Sequence, residues 1–342
     1  MKNKIALIQT YFGKFPDYFA LHLLTIAKNP EITWIFFTDD KTPYQWSKNC
    51  EVHYMEFPEM QNFISEKFDF KIALEKPYKV CDFRPAFGYI FEDYLKCYDF
   101  WGHCDVDVLW GNMQKFLTDE VLENHDFLFR TGHFRLYRNI EKMNQAFRNP
   151  KLQFGYKEIF THNESYCFDE MNSRQRELLK AGFRYYDNDN LEADTDPFLP
   201  GIQLREVSLI RRKYRTFRTV QNYENQIFVW ENGSLFRYYI DEDIVKQDEF
   251  SDIHFLKRKM DIVGIFSADT ERIIISPFRF YLEIKSDITK DLVLKLSNEN
   301  SKTSSPPITG GKFKRFFCLS RQKRIIALRK NWYNLLIKIG LK

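Results

Sequence analysis

The sequence predicts an α/β fold, a mostly parallel sheet with helices on both faces, followed by an amphipathic helical tail. Three observations lead there. Short apolar runs of strand length alternate with helix-length stretches through the first third. With 342 residues, 44% hydrophobic and 29% charged, the chain can bury a large core without disulfides or structural metal. Aromatics reach 17%, including 34 Phe and 19 Tyr, so rings are expected to build that core.

Taken in order, Lys4 to Thr10 reads as a first strand rather than a signal peptide, because no small-residue cleavage site follows. Asp17 to Lys28 reads as a helix stopped by Asn29-Pro30, and Ile32 to Thr38 as a β-branched, aromatic strand stopped by Asp39-Asp40. Glu51 to Phe57 is a third strand, Gly88 to Lys96 a helix, and Phe100 to Trp110 one buried strand. Strand character returns at Phe127 to Tyr137. Helical character follows at Ile140 to Arg148 and at Ser173 to Ala181, closed by Gly182. Asn222 to Tyr239 holds Glu231-Asn232-Gly233 between two apolar runs, a hairpin signal. Residues 1–297 therefore form the expected body, with a first half to about 140 and a second half from 141. Residues 298–311, rich in Asn, Ser, Thr, Pro and Gly, read as a flexible linker.

The tail, 312–342, carries ten Lys or Arg and no acid, which leaves a body of 41 basic against 47 acidic residues. Ile325, Leu328, Trp332, Leu335, Leu336 and Ile339 fall at spacings of three and four, with Lys323, Lys330, Asn334 and Lys338 on the other side. Such a helix suits an anionic membrane surface, or simply packs on the body. An acidic body argues against nucleic acid. No run of 18 apolar residues exists, and the six scattered cysteines contain no CxxC pair. A cytoplasmic protein, peripheral on the inner face of the membrane, is expected.

The sharpest motif is His103-Cys104-Asp105-Val106-Asp107-Val108. Two acids at i and i+2 on an extended strand point the same way. Close, buried carboxylates repel unless a cation lies between them, and Mn²⁺ or Mg²⁺ together with a diphosphate answers that problem. A solvated Asp pair at a strand end is the bland alternative. Upstream lie Lys79-Val80-Cys81-Asp82-Phe83-Arg84-Pro85, then a helix and Tyr98-Asp99. This arrangement resembles nucleotide-sugar glycosyltransferases of the GT-A fold, closest to bacterial enzymes of capsule and O-antigen polysaccharide synthesis. The likeness covers about residues 4–260, with specific motifs only at 79–112, and Gly88-Tyr89 stand where related enzymes often have an Arg.

The resemblance implies a GT-A-like, Rossmann-type sheet, with Asp105 and Asp107 as ligands of the metal and Asp105 also near the donor ribose. It places Lys79, Asp82 and Arg84 at the donor pocket. It adds His133 and Asn139 beside the donor sugar, His254 as a third metal ligand, and Lys257 as a grip on the diphosphate. For an inverting reaction it suggests Asp169, then Glu170, as the base, although an acidic pair there also caps a helix. Thr10 and Tyr11 close the first strand, where open α/β sheets receive nucleotides. Tyr11 either stacks on uracil or packs under the turn, and Asp39 either touches the nucleotide or caps the next segment. A second DxD, Asp194 and Asp196, is expected on an exposed loop.

The expected function is metal-dependent transfer of a sugar from a UDP-sugar, galactose or galactofuranose among the options, to a glycan or lipid-linked oligosaccharide. A nucleotidyltransferase and a non-catalytic peripheral membrane scaffold are the alternatives.

Overall fold

The computed structural model describes residues 1–129, 131–186, 191–196, 199, 201–204, 208–211, 214–217, 221–256, 258–299 and 321–338. β1 (Ile5–Tyr11), β2 (Ile32–Thr38), β3 (Cys50–Tyr54) and β4 (Phe100–Cys104) run parallel, in the spatial order β3-β2-β1-β4. Along β1, Ala6 and Ile8 enter one core while Ile5 and Leu7 enter the other. Both faces of this sheet are therefore buried, which is why its strands read as continuous apolar runs. The helix Phe19–Ala27 covers one face through Phe19, Leu23 and Ile26, and the helix Phe57–Ser65 covers the other through Met60 and Ile64.

The expected single strand from 100 to 110 is two. β4 ends at Cys104, and β5 (Val108–Trp110) starts after a three-residue break and leaves the sheet. β6 (Phe127–Leu128), β7 (Phe134–Arg138) and β8 (Tyr185–Tyr186) extend the first sheet beyond β4 in the order β7-β6-β8. β7 opposes both its neighbours. The expected helix from 88 to 96 is two short helices, Phe87–Ile90 and Glu92–Leu95, and a 3₁₀ stretch, Pro77–Ala86, precedes them. Gly88 allows this segment to lie against the sheet: a Cβ there would fall 2.4 Å from Trp101 Nε1.

The later strands are β9 (Glu192–Asp194), β10 (Ser208–Arg211), β11 (Tyr214–Phe217), β12 (Gln226–Glu231), β13 (Ser234–Asp241), β14 (Ile244–Phe250), β15 (Asp252–His254), β16 (Asp261–Val263), β17 (Arg272–Ile275) and β18 (Arg279–Tyr281). Six of them form a second sheet, β14-β13-β12-β17-β18-β16, antiparallel except at β16 and β18. The mostly parallel arrangement expected from the sequence is thus corrected to a mixed one, because the second half pairs through hairpins rather than helical crossovers. The β12–β13 hairpin turns at Asn232 (φ 48°) and Gly233 (φ 94°), the left-handed pair such a turn requires. Tyr18, Leu21 and Leu24 pack with Phe228, Trp230 and Ile275, so the helix Phe19–Ala27 is shared by the two sheets.

The expected linker begins with anchored residues: Asn298 Nδ2 donates to Leu294 O (2.9 Å), and Ser276 Oγ donates to Glu299 (2.6 Å). Residues 300–311 lie outside the described residues. The tail helix, Arg321–Lys338, packs on the body by burying Ile326 and Tyr333. Arg329 meets Glu158 (3.3 Å), and Lys323 meets Glu164 (3.4 Å). Ile325, Leu328, Trp332 and Leu335 face outward. Among the described residues, no helix is long and apolar enough to cross a membrane.

Candidate functional site

Three short strands assemble the site. β15 pairs antiparallel with β5 and parallel with β9, so His254 stands beside Val108 on one side and Asp194 on the other; Asp252 stands beside Trp110 and Glu192. Period-two alternation then sorts the side chains. Leu109, Ala193 and Ile253 enter an apolar core, while Glu192, Asp194, Asp252 and His254 share the opposite face.

The break between β4 and β5 carries Asp105 and Asp107, and hydrogen bonds fix its backbone. Asp105 N–H donates to His133 O (2.8 Å), Gln9 Nε2 donates to Asp105 O (2.9 Å), and Phe255 N–H donates to Asp107 O (3.0 Å). His254 Nε2 consequently lies 3.5 Å from Asp107 Oδ1 and 3.8 Å from Asp105 Oδ2. One ligand atom from each of the three lies within 4.8 Å of the others. Two carboxylates and an imidazole facing a cleft are a donor set for a hard or borderline divalent cation.

Behind them, His254 Nδ1 meets Asp194 Oδ1 at 2.8 Å, and the His133 ring stacks on His254 with centroids 4.3 Å apart. His133 Nε2 meets Asp252 Oδ2 at 2.9 Å and stands 3.5 Å from Glu192. Burial opposes the cationic form of both rings. The carboxylates overcome it, Asp107 and Asp194 for His254 and Asp252 for His133, and raise both pKa values.

On the opposite wall Arg84 spans two acids. One arm of its guanidinium pairs with Asp105, and the other donates to Asp169 Oδ2 (3.1 Å) and Gly132 O (3.1 Å). Burial pushes the Asp169 carboxyl up to about 7, with Arg84 opposing and Glu170 adding to the shift. Glu170 is exposed, and its carboxylate lies where a Cβ on residue 132 would be, 2.4 Å away, so glycine there admits it.

Thr10, Tyr11, Arg84, Asp105, Asp107, His133, Asp169, Glu170 and His254 line one cleft of about 1110 Å³. Tyr11 also stacks on Phe15, centroids 4.9 Å apart, so it both packs at the turn and lines the cleft. Four expected residues do not line it. Lys79 and Asp82 are a buried pair (2.8 Å) whose carboxylate also accepts the N–H groups of Tyr166 and Phe168 (both 2.8 Å), holding the loop that leads to Asp169. Asn139 donates to Leu95 O and Tyr98 O (both 2.9 Å), and Asp39 accepts Gly13 N–H (2.6 Å). Lys257 lies outside the described residues. Of its neighbours, Arg258 is consumed by the carbonyls of Gly201, Pro277 and Asp196, whereas Lys259 is exposed on the cleft wall.

The sequence reading misplaced Asp194, which is buried on β9 rather than exposed on a loop. The signal was the shared polar–apolar–polar pattern of Glu192-Ala193-Asp194 and Asp252-Ile253-His254, two short strands with one polar face each.

A model of a family of unknown function, DUF6625, matches residues 7–283. No curated protein matches the chain. Among solved structures, it is similar to the apo form of the glycosyltransferase GlyE of Streptococcus pneumoniae TIGR4 (11% identity, TM-score 0.30). That alignment covers 56% of this chain but only 46% of GlyE. It is also similar to the galactosyltransferase LgtC in complex with donor and acceptor sugar analogues (11% identity, 56% of this chain and 75% of LgtC, TM-score 0.30). A third is the apo form of mouse xyloside xylosyltransferase 1 (8% identity, 57% of this chain and 88% of that one, TM-score 0.31).

Proposed function

We propose that this chain, which belongs to the DUF6625 family, is a glycosyltransferase moving a sugar from a UDP-sugar to a glycan acceptor, aided by Mn²⁺ or Mg²⁺. One observation carries the reading. Asp105, Asp107 and His254, drawn from segments far apart in the sequence, present converging ligand atoms at the carboxyl end of the parallel strand β4, where open α/β sheets take nucleotides. A divalent ion held there would neutralise charge on the departing diphosphate. Lys259 adds a cation on the same wall, and Thr10 and Tyr11 bound the end of β1 that would receive the nucleoside.

Arg84 orients Asp105 and ties it to Asp169. Glu170, exposed beside Gly132, is better placed than buried Asp169 to take a proton from an acceptor hydroxyl in an inverting reaction. The body would be residues 1–297, with the donor held mainly by residues up to about 140. The tail extends the proposal to a setting. Its outward Ile325, Leu328, Trp332 and Leu335, in a segment of ten cations and no acid, suit the anionic inner face of a cell membrane, where a lipid-linked acceptor of polysaccharide synthesis would lie.

The deciding experiment is thermal denaturation with UDP and UDP-sugars, with and without Mn²⁺. A ligand at about 100 times its Kd adds about 2.7 kcal/mol. Stabilisation by UDP that needs Mn²⁺ and disappears in Asp107→Asn supports the assignment. Indifference to every nucleotide would favour a non-catalytic scaffold instead.

A further inference from the structure

We infer that Asp194 is a positioning residue for His254, fixing which ring nitrogen meets the cation; this rests on the metal-site reading above. An ionised carboxylate only accepts hydrogen bonds, so at 2.8 Å from Asp194 Oδ1 the His254 Nδ1 must carry the proton. In the neutral ring, Nε2 then bears the lone pair, and Nε2 is the nitrogen 3.5 and 3.8 Å from the oxygens of Asp107 and Asp105. A ligating histidine held by a carboxylate on its other nitrogen is oriented and made more basic.

The chain provides for this contact specifically. Asp194 and His254 are register partners on the parallel strands β9 and β15, and both are almost fully buried. Thr195 N–H and Oγ1 both donate to His254 O (3.1 and 2.7 Å), clamping the backbone beside the imidazole. On the ring's far side His133 stacks at 4.3 Å, itself held by Asp252. The imidazole therefore has one face packed, one nitrogen bonded and the other aimed at the acids.

The test is Mn²⁺ binding to the full chain, followed by the electron paramagnetic resonance signal of free Mn²⁺. Nitrogen-14 coupling to the bound ion serves as the signature of imidazole ligation. The unsubstituted chain is expected to bind Mn²⁺ with that coupling. Asp194→Ala should weaken binding 10–100-fold and diminish the coupling. Asp194→Asn, whose amide oxygen still accepts from Nδ1–H, should lose less affinity and keep the coupling. It also decides the matter if the alanine variant does not fold. Wild-type affinity and coupling in Asp194→Ala, or loss of both in a folded Asp194→Asn, would overturn the positioning role while leaving the metal site standing. No Mn²⁺ bound by the unsubstituted chain would overturn both.

Discussion

The Lys79 ammonium lies 2.8 Å from the Asp82 carboxylate, with both side chains buried beneath the loop that delivers Asp169. Burial lowers the lysine pKa, and Asp82 is the foremost of the groups that oppose the shift. Removing one partner of a buried pair leaves the other charge uncompensated, a cost of about 3–5 kcal/mol. Asp82→Ala should lose stability of that size in urea denaturation, and a loss under about 1 kcal/mol would show that the pair does not anchor the loop.

His22 sets an acid limit on stability. Its Nδ1–H donates to Val108 O (2.6 Å), its Nε2 receives Gln9 (3.0 Å), and burial drives its pKa down to about 4. The unfolded ring protonates near 6.5, so as pH falls the unfolded chain takes the proton first. Stability contributed by the neutral ring is therefore present above about 6.5 and lost down to about 4, amounting to about 3 kcal/mol. The melting temperature of His22→Gln should fall less over this window than that of the unsubstituted chain. His133 and His254 shift in the opposite direction but are common to both proteins. Parallel curves would refute the assignment.

Gly132→Ala separates catalysis from folding. The added methyl would meet the Cγ and carboxylate of Glu170, an exposed side chain that must turn about its Cα–Cβ bond to clear it. Stability should change by less than about 1 kcal/mol. If Glu170 is the general base, transfer should drop about 100-fold or more, read as kcat/KM at saturating Mn²⁺.

The outward face of the tail gives a fourth expectation. Trp332→Ser with Leu335→Ser should reduce binding to phosphatidylglycerol vesicles about tenfold or more, since each buried apolar side chain contributes about 1.5–3 kcal/mol. Binding should be weak on phosphatidylcholine. Equal sedimentation of both proteins with anionic vesicles would count against the membrane reading.

What the sequence made legible was local. Apolar runs marked β1 and β2, Asn232-Gly233 marked a hairpin, and a paired-acid motif marked the break after β4. What it hid was set by pairing between distant segments. Nothing near Trp110 says that β5 abandons the first sheet for β15, 142 residues later at Asp252↔Trp110. The roles of Lys79 and Asp82 depend on backbone groups at 159–168, and that of Asp194 on a strand 60 residues away. The motif pointed to Asp105 and Asp107 and the family resemblance to His254, and the strand pairing accounts for why they meet.

That pairing makes the candidate cation site a gauge of register. A slip of one residue between β15 and its neighbours would turn Ile253 toward the acids and send the imidazole into the oil. Only three residues of each strand guard against that error, so mild denaturant should erase ion binding while the long strands around β1 are still intact.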